Sequence, residues 1–152
     1  MGIEGFTIRP FNNFGPRQAF KPELAGVIPN TIVRIIQGKP PIIRGDGMQL
    51  REYVYVQDCI DESIQAISNC RDGEIKTIGS GIQITVNEIV ESICQMMEYN
   101  GPIIHEVSRT ADALVHRSEV KVDISVANEN KARHKSQMLD TIRYYRELLS
   151  GM

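Results

Sequence analysis

Tryptophan is missing from this chain altogether, and aromatic residues of any kind make up only 6% of it. Cysteine is scarce too: Cys59, Cys70 and Cys94 are the only three, and no Cys-x-x-Cys pair occurs. An odd count without paired spacing gives no disulfide framework, so the thiols are expected to be reduced and buried in a cytoplasmic protein. His105, His116 and His134 lack metal-ligand spacing and have no cysteine or acidic cluster beside them, so no metal site is expected. Charge of one sign is lacking as well. Lys and Arg number 17 against 19 Asp and Glu, a net charge of −2, and such a balance gives no electrostatic case for nucleic acid as a partner. Apolar runs are only a few residues long, too short to span a membrane, so no membrane partner is expected. Met1-Gly-Ile-Glu-Gly5 shows no signal-peptide pattern. The motifs of self-contained catalysis are absent also: there is no GxSxG elbow, HExxH, Walker loop or paired Cys/His.

What remains is enough for a real core. The 152 residues are 41% hydrophobic and 24% charged, the profile of a soluble globular domain. Residues 6–11 read as a strand running into turn formers at 12–16, with an irregular stretch over 17–26. A helix is predicted to start near Ile28, with Pro29 in its first turn and Ile28, Ile32, Ile35 and Ile36 on its apolar face; Gly38 and Pro40-Pro41 stop it. Ile42 and Ile43 suit a short strand. A helix over 59–69 carries the stripe Ile60, Ile64, Ile67, and 74–78 reads as a strand ending in Gly79-Ser80-Gly81. Thr85 with Glu88 forms a capping box for a helix over 86–99, with Val86, Ile89, Val90, Ile93 and Met97 facing inward. Residues 103–107 suit a strand, 128–137 a loop or polar helix start, and 138–149 a closing helix with Leu139, Ile142, Tyr145 and Leu149 inward. This alternation predicts a mixed α/β structure.

The most informative stretch is Gly45-Asp-Gly-Met-Gln-Leu-Arg51-Glu-Tyr-Val-Tyr-Val-Gln-Asp58. Gly-Asp-Gly is a tight turn, Tyr53 to Val56 suit a short strand, and Asp58 stands where a helix cap belongs. Arg51 sits between turn and strand, where its planar fork could grip two phosphate oxygens at once. Asn12, Asn13, Arg17, Arg109 and Asp112 are further polar groups near loop ends; two arginines and a carboxylate suit a nucleoside diphosphate, with the acid accepting from ribose hydroxyls. Gly79-Ser80-Gly81 follows a strand and precedes a helix but lacks GxGxxG spacing, so a plain turn is the default reading.

Taken in order, these segments resemble the C-terminal half of the extended short-chain dehydrogenases/reductases, the NAD-dependent nucleotide-sugar epimerases, dehydratases and decarboxylases. The resemblance is carried by Arg9-Pro-Phe-Asn-Asn-Phe-Gly-Pro16, Val27-Ile-Pro29, Gly38-Lys-Pro40, the Gly45–Asp58 stretch, Thr77-Ile-Gly-Ser-Gly81 and Asp140-Thr-Ile-Arg-Tyr-Tyr-Arg146. It implies an α/β fold made of the last Rossmann strands plus a small α/β substrate-binding subdomain. Residues 1–152 would then be a single partial domain lacking the N-terminal NAD-binding Rossmann part. The resemblance also implies roles: Asn12 touches substrate, Pro10 and Phe11 lie toward the nicotinamide, the Val27 backbone touches the nucleotide, and Arg51 holds the diphosphate. Arg109-Thr-Ala-Asp112 resembles the family's Arg-x-Gly-Asp segment, with Arg109 on phosphate and Asp112 on ribose, and Arg117 is a rival for the phosphate role. The family's Leu-Gly-Trp-x-Pro element has no counterpart, and Arg44 stands near the base where an apolar or aromatic residue is usual.

In that family a Tyr-x-x-x-Lys pair supplies the acid/base while NAD takes and returns a hydride. No Tyr-x-x-x-Lys and no glycine-rich loop occur in these residues. The expectation is a nucleotide-sugar-binding portion that is not catalytically complete by itself, with NAD held only in the complete enzyme. The alternatives are a stand-alone non-catalytic nucleotide-diphosphate binding or assembly module, and a structural remnant without ligand. Expected partners are a nucleotide-diphosphate sugar, together with a second copy or a Rossmann half meeting an exposed apolar edge.

Overall fold

The computed structural model describes residues 2, 4–21, 24–107, 115–116, 118–120 and 123–151. The described elements run β1 (Thr7–Pro10), β2 (Asn13–Phe14), α1 (Val27–Ile36), β3 (Ile42–Arg44), β4 (Leu50–Glu52), β5 (Val54–Tyr55), α2 (Val56–Asn69), β6 (Ile75–Ile78), β7 (Gln83–Thr85), α3 (Val86–Met96), β8 (Ile104–Glu106), β9 (Val115–His116) and α4 (Ile124–Ser150). Helices and short, mostly parallel strands alternate, giving the α/β class expected from the sequence. β1 pairs with β6, β2 with β5 and β3 with β8, all parallel. β4 lies between β7, antiparallel, and β9, parallel.

The main core is built where α1, α3 and α4 meet. Ile28 and Ile32 of α1, Ile89 and Ile93 of α3, and Met138, Ile142 and Tyr145 of α4 are all buried in one cluster. α1 is amphipathic at the expected spacing and stops at Gly38, whose φ of 69° suits a residue without Cβ. There the Gly38 N–H reaches the Ile35 carbonyl at 3.0 Å and the Lys39 N–H reaches the Arg34 carbonyl at 2.8 Å. The Thr85/Glu88 capping box is formed at the head of α3.

Several local expectations are corrected. Strand character begins at Leu50, not Tyr53, so Arg51 lies within a strand; the ladder with β7 and β9 decides this over β-propensity. Tyr55 is the N-cap of α2 and Asp58 lies in its first turn. Its carboxylate instead accepts from Arg133 Nη1 at 3.3 Å and Gln137 Nε2 at 2.8 Å on α4. Ile60, Ile64 and Ile67 point outward, 45%, 59% and 70% exposed, while Cys59 and Ala66 form the buried side of α2. Periodicity shows that a face is apolar, not whether anything in the chain covers it. Of the two readings of residues 128–137, the polar helix start holds, since they lie in the first half of the 27-residue α4. On that helix Met138 is buried and Leu139 is 44% exposed, the reverse of the expected phase at that turn. Cys59 and Cys94 are buried and Cys70 half-buried, and all three are free thiols.

A second, smaller cluster joins Val54, Cys59 and Ile78, with Ile8 and Phe11 packed on it. It fastens α2 onto the β1/β6 pair. Two tyrosines tie α4 to the rest of the fold. The Tyr55 hydroxyl donates to Asp140 Oδ2 at 2.6 Å, and the buried Tyr145 donates to the Gln18 carbonyl at 2.7 Å.

Candidate functional site

The Gly45–Gly47 turn is fixed before the site begins. Gly45 and Gly47 have φ of 81° and 75°, and a Cβ on Gly47 would collide with Asn87 of α3. Asn87 in turn holds the turn from both sides: its N–H donates to the Gly47 carbonyl at 3.0 Å and its Nδ2 to the Asp46 carbonyl at 2.9 Å. The turn delivers the chain into β4, where Arg51 stands opposite Ile84 of β7 and His116 of β9. Arg51 is half-buried and its Nη1 donates to the Leu50 carbonyl at 2.9 Å.

Asn12 is tied to the same strand. Its Nδ2 donates to the Glu52 carbonyl at 2.8 Å, and its own carbonyl accepts from the Val54 N–H at 3.1 Å. Val27 opens α1, which begins at Gly26 without a side-chain cap, so its first-turn amides gain no acceptor from the cap position. These three residues, from three distant parts of the chain, line one cleft of about 740 Å³, a volume within the usual range for small-ligand sites. Arg34, Arg44 and Gln49 share the lining. Arg34 Nε donates to the Pro40 carbonyl at 2.6 Å, and Arg44 Nε lies 3.8 Å from Glu106 Oε2.

Pro10 and Phe11, the residues expected toward the nicotinamide, do not line this cleft. Pro10 is exposed at the end of β1, and Phe11 packs on the Val54–Cys59–Ile78 cluster. Arg109, Asp112 and the rival Arg117 lie outside the described residues.

Sequence reading missed two glutamines. Gln18 and Gln49 both line the cleft, and the Oε1 of each is buried with no hydrogen-bond partner among the described residues. Gln49 Nε2 donates to the Arg44 carbonyl at 2.8 Å, which orients the amide. A buried acceptor without a donor is costly in the free chain and suits a ligand that brings one. Gln49 was visible as a polar residue two before Arg51; nothing in the pattern marked Gln18. Tyr53 also lines the cleft, and burial pushes its hydroxyl well above the usual tyrosine range against the opposing pull of Arg51.

Behind the cleft, His134 of α4 packs on Phe14 with ring centroids 5.3 Å apart. Burial lowers its pKa below the usual 6.5. The unfolded chain therefore takes up the proton first as pH falls. The stability from keeping His134 neutral is fully present above about 6.5 and declines below it, down to the folded-state value. Urea unfolding from pH 7.5 to pH 5 is expected to show the midpoint falling, with a shallower fall in His134→Phe. Equal slopes for the two proteins would refute the assignment.

The model of the NAD dependent epimerase/dehydratase family matches residues 1–79. A UDP-N-acetyl-alpha-D-glucosaminuronate decarboxylase from Bacillus cytotoxicus is 36% identical over 104 residues, covering 68% of this chain and 32% of that protein. A dTDP-glucose 4,6-dehydratase from Haemophilus influenzae is 35% identical over 101 residues, covering 66% of this chain and 29% of its own length. Among solved structures, a UDP-N-acetylglucosamine 4-epimerase from Methanobrevibacter ruminantium, in complex with UDP-N-acetylmuramic acid, superposes with a TM-score of 0.83 at 26% identity. That match covers 99% of this chain and 47% of the epimerase. A UDP-glucose 4-epimerase from Thermotoga maritima with UDP-glucose gives 0.82 at 25% identity, covering 97% and 47%. The chain thus spans about a third of these two curated relatives and just under half of these two solved ones.

Proposed function

Since the chain belongs to the NAD-dependent epimerase/dehydratase family, we propose that it is the nucleotide-sugar-binding portion of such an enzyme and is not catalytically complete by itself. The observation that supports this best is the meeting of Asn12, Val27 and Arg51 in one cleft. In this reading Arg51 turns its fork toward the diphosphate, where both partners of each hydrogen bond are charged, unlike its present bond to the Leu50 carbonyl. The uncapped start of α1 offers amides and the positive end of its dipole to the same anion. Arg109 and Asp112 add a second phosphate contact and a ribose acceptor. Both solved relatives carry UDP-linked ligands, so UDP is the first nucleotide to try.

NAD belongs, in this reading, to the remainder of the enzyme. When bound it supplies hydride transfer; Pro10 and Phe11 would offer only a wall toward its nicotinamide. The Gly79-Ser80-Gly81 turn leads from β6 into β7 and not, as expected, directly into a helix, and it does not fit a dinucleotide phosphate. The Gly81 N–H already donates to Glu52 Oε1 at 2.8 Å, and a Cβ at Gly79 would meet that same oxygen at 2.5 Å. The space a phosphate would need is filled by a carboxylate.

The same reading accounts for the outward face of α2. Ile60, Ile64 and Ile67 are exposed beside the β1/β6 pair, and β1 and β6 pair only with each other among the described residues. Parallel strands are rarely left open on an edge or bare on a face. This surface would meet a Rossmann half, and without one it would meet a second copy. Sedimentation at high concentration should show self-association that a triple Ile60→Lys, Ile64→Lys, Ile67→Lys variant abolishes; a monomeric wild type would count against this surface.

Calorimetric titration tests the function itself. UDP is expected to bind the chain at one site, and UDP-glucose with NAD is expected to give no turnover. Absence of UDP binding would sink the site, and turnover would sink the non-catalytic reading.

A further inference from the structure

Glu52 is 2% exposed, and a carboxylate is that deeply buried only where donors converge on it. Three do. Its Oε1 accepts from the Gly81 N–H at 2.8 Å and from Ser118 Oγ at 2.9 Å, and its Oε2 accepts from the Ser118 N–H at 2.7 Å. Ser118 is itself 8% exposed. The donors lie 29 and 66 residues away in sequence, so one side chain joins three separate segments: β4, the turn after β6, and the chain just past β9.

Two further observations give this knot a direction. First, the ladders around β4 are short, three residue pairs with β7 and two with β9. So few backbone bonds do little to fix a strand by themselves. Second, side chains alternate across a strand. Arg51 lines the cleft, and its neighbour Glu52 is buried on the opposite side of the same strand. The Glu52 backbone also receives Asn12 Nδ2 at 2.8 Å. The residue therefore sits directly behind Arg51, bonded through its carboxylate to Gly81 and Ser118 and through its carbonyl to Asn12.

We infer that Glu52 is a positioning residue for nucleotide binding: its carboxylate pins the strand that carries Arg51 to the Gly81 turn and to Ser118, and so sets where the Arg51 guanidinium stands in the cleft. The inference rests on the reading that Arg51 grips a diphosphate there. Glu52 need not touch the ligand. The chemistry it requires is an acceptor on both of its oxygens, since donors approach both.

Glu52→Gln keeps size and shape but replaces one acceptor by an NH₂ group that faces a donor. UDP affinity, measured by calorimetry at a temperature where the variant is fully folded, is expected to fall about tenfold, the equivalent of one lost charged hydrogen bond. Amide exchange at Gly81 and Ser118 should quicken in the same sample. Ser118→Ala, which keeps both backbone donors, should weaken UDP less, and the double variant should lose less than the sum of the two. A purely structural role predicts a lower melting temperature with UDP affinity unchanged in the folded variant, and that result would overturn the inference while leaving the cleft intact. If Glu52→Gln does not fold, Ser118→Ala decides: wild-type affinity in that variant overturns the proposal. Wild-type chain that fails to bind UDP at all overturns the Arg51 reading, and this inference with it.

Discussion

Replacing Arg51 by alanine is expected to weaken UDP binding by about 1.5–3 kcal/mol, roughly 10- to 150-fold, the range for hydrogen bonds to a charged group. The side chain is half-buried, and the strand that carries it is held by the Glu52 carboxylate as well as by its short ladders, so less freedom is lost when it takes a ligand. Truncation also leaves the diphosphate facing a cleft whose other arginines are engaged elsewhere, Arg34 with the Pro40 carbonyl and Arg44 beside Glu106. Lysine at position 51 should recover only part of the loss, because an ammonium is a point charge and cannot form the two parallel bonds of the fork. The loss should shrink as salt rises, since part of the attraction is screened. Calorimetry on wild type, Arg51→Ala and Arg51→Lys at two salt concentrations reads all of this. Unchanged affinity in Arg51→Ala would remove the diphosphate role.

Phe14→Ala is expected to have the largest effect on the fold, a loss of about 3–5 kcal/mol. Phe14 is 2% exposed. Its ring lies 5.5 Å from Tyr55, 6.4 Å from Tyr53 and 5.3 Å from His134, counted between centroids. One side chain thus fills the junction of β2, β5 and α4, and the cavity left behind could not close without moving all three. A whole domain is stable by only about 5–15 kcal/mol, so the variant should lie near the edge of folding. Urea denaturation measures this directly, and a loss below about 1 kcal/mol would show that the junction collapses or is not central. Phe14 also lines the cleft, so a variant that stays folded should bind UDP less well.

Much of this was legible in the sequence, and the failures share a cause. α1 and α3 were readable because amphipathic spacing, a glycine stop and a capping box are local signals. The turn at Gly45–Gly47 was readable because positive φ selects glycine. β2, β4, β7 and β9 were not, since two- and three-residue strands exist only by virtue of partners far along the chain. The outward phase of Ile60, Ile64 and Ile67 was misread because a sequence records that a face is apolar and not where its cover lies. In the site, Arg51 was found by its charge between a turn and a strand. Gln18, Gln49 and Glu52 were passed over because an isolated polar residue reveals nothing until the fold buries it. The family resemblance gave Asn12 and Val27 their expected roles; only the fold placed them within one cleft with Arg51.

The proposed function stands on one nucleotide-diphosphate cleft lined by Asn12, Val27 and Arg51. Titrating UDP into ¹⁵N-labelled protein and following its amide resonances tests that claim most directly. Saturable shifts concentrated at Asn12, Val27, Gln49 and Arg51 are expected, and their loss in Arg51→Ala; shifts centred elsewhere, or none at millimolar UDP, would contradict the proposed cleft.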